Sequence, residues 1–415
     1  MIERYRTFSR VRIDRYLSEV SLVLLCIVML YSMKIYVLWG RSYIAYISIF
    51  LFGAIRICFL KRTTSRKNLV SCFLCLLMYS VLDLFHLNDI ASLLVYLVRH
   101  VFLVWLVILL SDDEKVELMR MFTKIYVVIV GFSLLSFALY QLGVELPYSI
   151  VKYEANAGYP DFKCYPFLLV QNEYQLINRF QSVFLEPGHL GMISALLLYV
   201  DGYRLKRSEG VILCVSILIS LSLAAYMLLL VGFLLHYVMV HKGVLKHVVL
   251  SLMWILVVFV LALFYYMYNP DAAFSQRIVE RLEFDEDKGF KGNNRTSASF
   301  DSYYEHFYQT SDCLIGVGPT EYKLASWGGR SKGGSSSYKV FIVQHGLIGL
   351  FLLILFFSVY TYQQKSKLLL GLLLLYIASF WQRPYALWEV ELFLFISYAI
   401  YINKRSITNK IEKWK

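Results

Sequence analysis

Between positions 179 and 191, where a polar stretch runs into an apolar one, the chain sets Arg179, Glu186, Pro187, Gly188 and His189 close together. Those residue types suit one kind of chemistry. Proline fits the first turn of a helix, so Pro187 opens one, and the N–H groups and dipole of that helix end attract anions. Arg179 adds a planar cation that can grip phosphate with two hydrogen bonds, and the dipole favours Glu186 as the carboxylate. His189 is a second group able to take a proton near neutral pH. A guanidinium, a carboxylate and an imidazole at one helix start can bind a multiply charged leaving group and deprotonate a hydroxyl beside it. The same string has a plainer reading, in which Glu186 caps the helix and His189 packs on a neighbour. The residues alone leave both open.

Other ionisable side chains lie within apolar runs, where each costs at least about 2.5 kcal/mol at the centre of a bilayer and therefore needs a reason. Arg99 and His100 sit in mid-run, and Arg56 and Asp83 also fall at membrane depth. Arg99 either faces a bound anion or pairs with Asp83, while Arg56 can extend to the interface. Arg383, in the turn Trp381–Gln382–Arg383–Pro384–Tyr385, either lines the same site or stands beside an interfacial aromatic belt. Lys34 and Lys124 read as interface residues. Cys164 and Cys313 are the two cysteines in hydrophilic stretches, where a disulfide and two free thiols are both open. No acidic pattern in the loops suggests a metal. Neither metal nor cofactor is expected.

What must position these groups is a membrane fold. Hydrophobic residues make up 59% of the 415 and charged ones 17%, with a mean hydropathy of +0.58, which leaves too little polar surface for a water-soluble globule of this length. Runs of about 20 mainly apolar residues recur from Leu17 almost to the C-terminus. The net charge of +12 would point to nucleic acid in a soluble protein. Here it gathers in short turns between alternate runs, so it reports orientation and no nucleic acid is expected.

The basic turns place both termini in the cytoplasm, provided that the 30-residue run 211–240 breaks into two short helices around Ser220–Ser222. The expected architecture is an all-α polytopic integral membrane protein of about 12 transmembrane helices with two large external loops. Its parts are a cytoplasmic N-terminus (1–16), helices one to five (17–142), a first external loop (143–185), helices six to nine (186–268), a second external loop (269–338), helices ten to twelve (339–403) and a cytoplasmic C-terminus (404–415). Loops of that size are usually functional.

Phe184–Leu185–Glu186–Pro187–Gly188 with the upstream Arg179, at the start of a span, resembles the Wzy-type O-antigen and capsule polymerases of the polymerase and ligase superfamily. The helix pair broken at Ser220–Ser222 is similar to the reversal that follows this motif in the superfamily. Arg295 followed by Gly316–Val317–Gly318 resembles its loop arginine and Gly-Val-Gly turn, and Gly346–Leu347–Ile348–Gly349 matches the start of a later span. The related ligases carry a histidine eleven residues ahead of that glycine; Ser335 stands there instead, so the ligase reading is weaker. His345 does not inherit that role.

The resemblance implies a metal-independent membrane glycosyltransferase of the bacterial inner membrane. It would move a growing glycan from polyprenyl pyrophosphate to a sugar hydroxyl of a lipid-linked repeat unit at the external face. Glu186, His189 and Arg179 are the expected catalytic residues, and Arg295, Arg99 and Arg383 the expected ligands of the pyrophosphate and substrate. Expected partners are the lipid-linked oligosaccharide donor and acceptor, membrane lipids and a chain-length regulator. The alternatives are an O-antigen ligase and a flippase for the same lipid-linked sugar, although transporters usually carry internal repeats that are not visible here.

Overall fold

The computed structural model describes residues 2–60, 65–83, 90–153, 161–172, 179–240, 298–324, 337–383 and 385–412, with isolated positions between 253 and 290. Helices dominate. In chain order they are α1 (Ile2–Ser32), α2 (Ser42–Cys58), α3 (Arg66–Asp83), α4 (Ile90–Tyr96), α5 (Leu103–Ile108), α6 (Asp112–Gln141), α7 (Pro187–Asp201), α8 (Ser208–Ile219) and α9 (Leu223–Val240). After them come α10 (Ala298–Phe307), α11 (Tyr338–Gln364), α12 (Lys367–Gln382) and α13 (Glu389–Glu412). Among the described residues, α6, α9 and α11 are long and apolar enough to cross a membrane. The protein is a mostly helical chain with membrane-spanning character.

Local chemistry sets several of the helix ends. At the start of α6 the Ser111 hydroxyl accepts from the Glu114 N–H, while the Glu114 carboxylate accepts from the Ser111 N–H at 2.9 Å, a reciprocal cap. Pro187 sits in the first turn of α7, and Gly202 closes that helix in the left-handed region at φ 74°. α7 is buried along its length up to Val200, so it runs through the middle of the bundle.

The run 211–240 is broken as its polar centre requires, with α8 ending at Ile219 and α9 beginning at Leu223. Ser216 bonds to Ser194 and Gly210 lies against Arg204, so α8 runs antiparallel to α7. Ala225 lies against Gly191 and His236 against Tyr199, so α9 turns back parallel to it. A Cβ at Gly191 would fall 2.4 Å from that of Ala225. Only glycine permits this approach of α9 to α7.

Two stretches depart from the all-helical expectation, one of them a two-stranded pairing of Phe284–Asp285 with Gly289–Phe290. Within 143–185 the segments Ser149–Val151, Phe162–Tyr165 and Leu168–Gln171 form a three-stranded antiparallel sheet, β1-β2-β3, with Ser149 opposite Cys164 and Cys164 opposite Leu169. These short runs of β-branched and aromatic residues flank a tight turn in which Phe167 adopts φ 57°. Cys164 and Cys313 are both free thiols.

Candidate functional site

The segment that delivers Glu186 is held from two sides. The Leu169 N–H donates to Ser182 O at 2.8 Å and the Tyr36 N–H to Val183 O at 3.1 Å, so residues 180–185 thread, buried, between the sheet and the turn after α1. Phe184 stacks on Tyr126 of α6, and Phe180 packs against Phe137. Ser182 takes φ 55°, a strained value for a residue with a side chain. The chain then reaches Glu186 in extended conformation and turns into α7 at Pro187.

At that point charges converge. Glu186 Oε2 lies 3.1 Å from Arg383 Nη2, in the turn between α12 and α13. Gly188 is what lets the guanidinium in, since a Cβ there would stand 2.9 Å from Arg383 Nη2. His189, one turn into α7, is buried; its Nε2 is 3.3 Å from the Tyr385 hydroxyl and its ring packs on Trp388. The Trp388 indole N–H donates to Ser32 O at 2.7 Å, tying the end of α1 to the start of α13.

A cavity of about 330 Å³ opens beside this cluster, lined by Lys34, Trp39, Arg99, Tyr153, His189, Tyr385, Trp388 and Glu389 among others. Arg99 Nη2 and Glu389 Oε1 pair at 3.2 Å on its lining, with the Arg99 guanidinium over the Tyr46 ring at 5.9 Å. Arg99 belongs to a π-helical stretch, Leu97–Phe102, set between α4 and α5. Such a wider turn often marks a functional position.

Lys34 completes the group. Its backbone sits at φ 56°, held by its N–H to Tyr31 O at 2.9 Å and by the Trp39 indole donating to Lys34 O at 2.8 Å. The ammonium lies over the Tyr153 ring at 5.9 Å. Burial pulls its pKa below the usual lysine range; Glu186 opposes that fall and Arg383 adds to it. Burial likewise raises the Tyr153 phenol, with the charge of Glu186 contributing in the same direction.

Of the six residues expected at the site, five lie among the described residues, and four of them meet here: Glu186, His189, Arg383 and Arg99. Arg179 is elsewhere. Its Nε–H donates to Ser220 O at 3.2 Å, so the guanidinium pins the α8–α9 turn and does not line the cavity. Arg295 and the side chain of Asp83 lie outside the described residues. The partner found for Arg99 is Glu389. Gly316 and Gly318 both adopt positive φ, 87° and 85°, in the segment after Ile315. Gly316 stands at φ 87° against the backbone of Gln344, where a Cβ would fall 2.4 Å from Gln344 O, and Gly346 meets Leu314 in the same way across the contact. The pair docks the 314–318 segment onto a break in α11.

Lys34 and Glu389 were not expected at the site. The signal for Lys34 was a lone cation just past an apolar run, which an interfacial residue shows equally well. Glu389 is the first residue of its helix, and only the neighbouring Arg383–Trp388 turn hints that this helix end faces the same space. Among the described residues no group of His, Cys, Asp or Glu is arranged to hold a metal.

Fold and site together define a helical membrane protein with a mixed-charge cavity where several helix ends meet. Comparison with protein-family models, with curated proteins and with solved structures finds no match.

Proposed function

We propose that this chain is a polymerase of lipid-linked glycan repeat units in the bacterial inner membrane. It would have about twelve spans, both termini in the cytoplasm and the site of Glu186 at the external face. The observation that carries this reading is a cavity lined by Lys34, Arg99, Glu389 and His189 and walled by tyrosine and tryptophan, with the Glu186–Arg383 pair beside it. Cations suit a pyrophosphate, aromatic faces suit sugar rings, and carboxylate or imidazole suits a hydroxyl that must lose its proton.

In the reaction, the acceptor hydroxyl oxygen forms a bond to the donor's anomeric carbon while the bond from that carbon to the pyrophosphate oxygen breaks. The bonding electrons leave with the polyprenyl pyrophosphate, whose growing charge faces Arg383, Arg99 and Lys34. The hydroxyl proton passes to Glu186, with His189 as the second candidate. Arg383 holds Glu186 in place, and Tyr385 and Trp388 hold the imidazole. Arg179 acts at one remove, through the α8–α9 turn. Arg295 keeps its place in this reading through the resemblance alone, as does a chain-length partner.

Lipid-ladder analysis of a deletion strain tests the proposal. A single capped repeat with no ladder is the expected result. Complete loss of surface glycan would turn the reading to a ligase or a flippase.

A further inference from the structure

The opposite end of α7 carries a second cavity, of about 360 Å³, bounded by α6, α7, the start of α8 and α13. Leu197, Val200 and Asp201 reach it from the last turn of α7, roughly 18 Å along that helix from His189. It shares no lining residue with the first.

Three cations line it, Arg120 and Lys124 of α6 and Arg207 at the start of α8, against two carboxylates, Asp201 and Glu209. Asp201 is already engaged by Arg204, whose guanidinium pairs with its carboxylate and whose Nε–H donates to its carbonyl at 2.9 Å. The balance is therefore positive. Arg207 is the residue before α8, a helix of twelve residues, so the positive end of that helix dipole faces the same place. Arg120 has a loose partner in Glu117, at 3.8 Å on an exposed surface. Thr123 and Tyr401 add hydroxyls to the lining, and Met119, Leu197, Val200 and Leu213 make its floor apolar.

We propose that this cavity seats the headgroup phosphate of an anionic glycerophospholipid. A soluble anion would need the cations alone, whereas a lipid also needs exposed apolar surface directly beyond them. That surface is present. Lys124 is followed one turn on by exposed Val128, and Arg207 by exposed Val211, with Val215 and Leu218 continuing the stripe on α8. Basic pockets between helices at the membrane edge bind anionic headgroups in this manner. The inference rests on the membrane reading and is independent of whether the first cavity polymerises glycans.

The test is native mass spectrometry of the purified full-length protein in detergent, titrated separately with phosphatidylglycerol and phosphatidylethanolamine. Phosphatidylglycerol should be retained and phosphatidylethanolamine released. Arg120→Gln, Lys124→Gln and Arg207→Gln should each weaken phosphatidylglycerol about fivefold, from about 1 kcal/mol per basic residue near an anionic headgroup. Lys152→Gln, in the surface pair with Asp161, should change nothing. Equal retention of the two lipids would overturn the proposal, as would unchanged affinity in all three variants. Displacement of the lipid by inorganic phosphate or glycerol phosphate at matched concentration would also overturn it, by showing a phosphate site indifferent to acyl chains.

Discussion

Two charged clusters sit far apart in the bundle, and they are built differently. In one, Arg56 Nη1 meets Glu114 Oε1 at 2.6 Å, the Ser18 hydroxyl donates to the same oxygen at 2.6 Å, and the Ser111 N–H donates to the other at 2.9 Å. The carboxylate is surrounded by donors from α1, α2 and the start of α6, so the cluster is a knot that joins three helices. In the other, Glu389–Arg99 lines a cavity with Lys34 and His189 on its wall, and the Glu186–Arg383 pair lies beside it. A closed cluster serves the fold. An open one presents its charges to a space large enough for a ligand.

Glu186→Gln should break that distinction most visibly. Loss of a general base commonly slows a reaction by about a hundredfold or more, so in vitro polymerisation of purified lipid-linked repeat units should collapse while thermal stability holds. A wild-type rate would remove Glu186 from the mechanism and leave His189 to be tested. Glu114→Ala should do the reverse. It strands Arg56, which is only 7% exposed, and a broken buried pair costs about 3 kcal/mol or more. Denaturation in detergent should register that loss, with the rate per folded molecule unchanged.

Lys34 sharpens the comparison further. Its pKa is lowered by burial, so the charged form opposes folding, and the penalty grows as pH falls through the normal lysine range. Lys34→Met should therefore leave stability equal or higher while polymerisation drops by about tenfold, the worth of about 1.4 kcal/mol of anion binding. Because the wild-type ammonium deprotonates at lower pH than a free lysine, the rate should fall early on the alkaline side. Lys34→Arg should push that limb upward; an unmoved limb would assign it to another group. The smallest effect is expected from Arg179→Lys. With its Nε–H on Ser220 O, Arg179 acts on the α8–α9 turn, and a loss under about tenfold is expected. A larger loss would put the guanidinium back on the substrate.

The helical, apolar character of the chain was legible because long apolar runs announce themselves by composition. The break at Ser220–Ser222 followed from a polar run inside a stretch too long for one helix, and the start of α7 followed from Pro187. The pairing partners were not legible. Glu389 is 203 residues from Glu186 in sequence, and nothing local says that α13 begins beside α7. The contact of Arg179 was not legible either: it stands seven residues before Glu186 along the chain, yet its Nε–H donates to Ser220 O at the α8–α9 turn. The sheet at 149–171 was hidden because short strands carry little periodicity.

The shortness of α8 has a consequence for the membrane itself. Its twelve residues rise about 18 Å, against about 30 Å of hydrocarbon in an ordinary bilayer, and Val211, Val215 and Leu218 form its exposed stripe. Were α8 to cross the bilayer, as the proposed topology has it, lipid beside that face would have to thin or tilt to match it. The protein would then carry a dimple in the bilayer along α8, next to the cavity at the foot of α7, where a lipid with short or disordered chains fits better than a long saturated one.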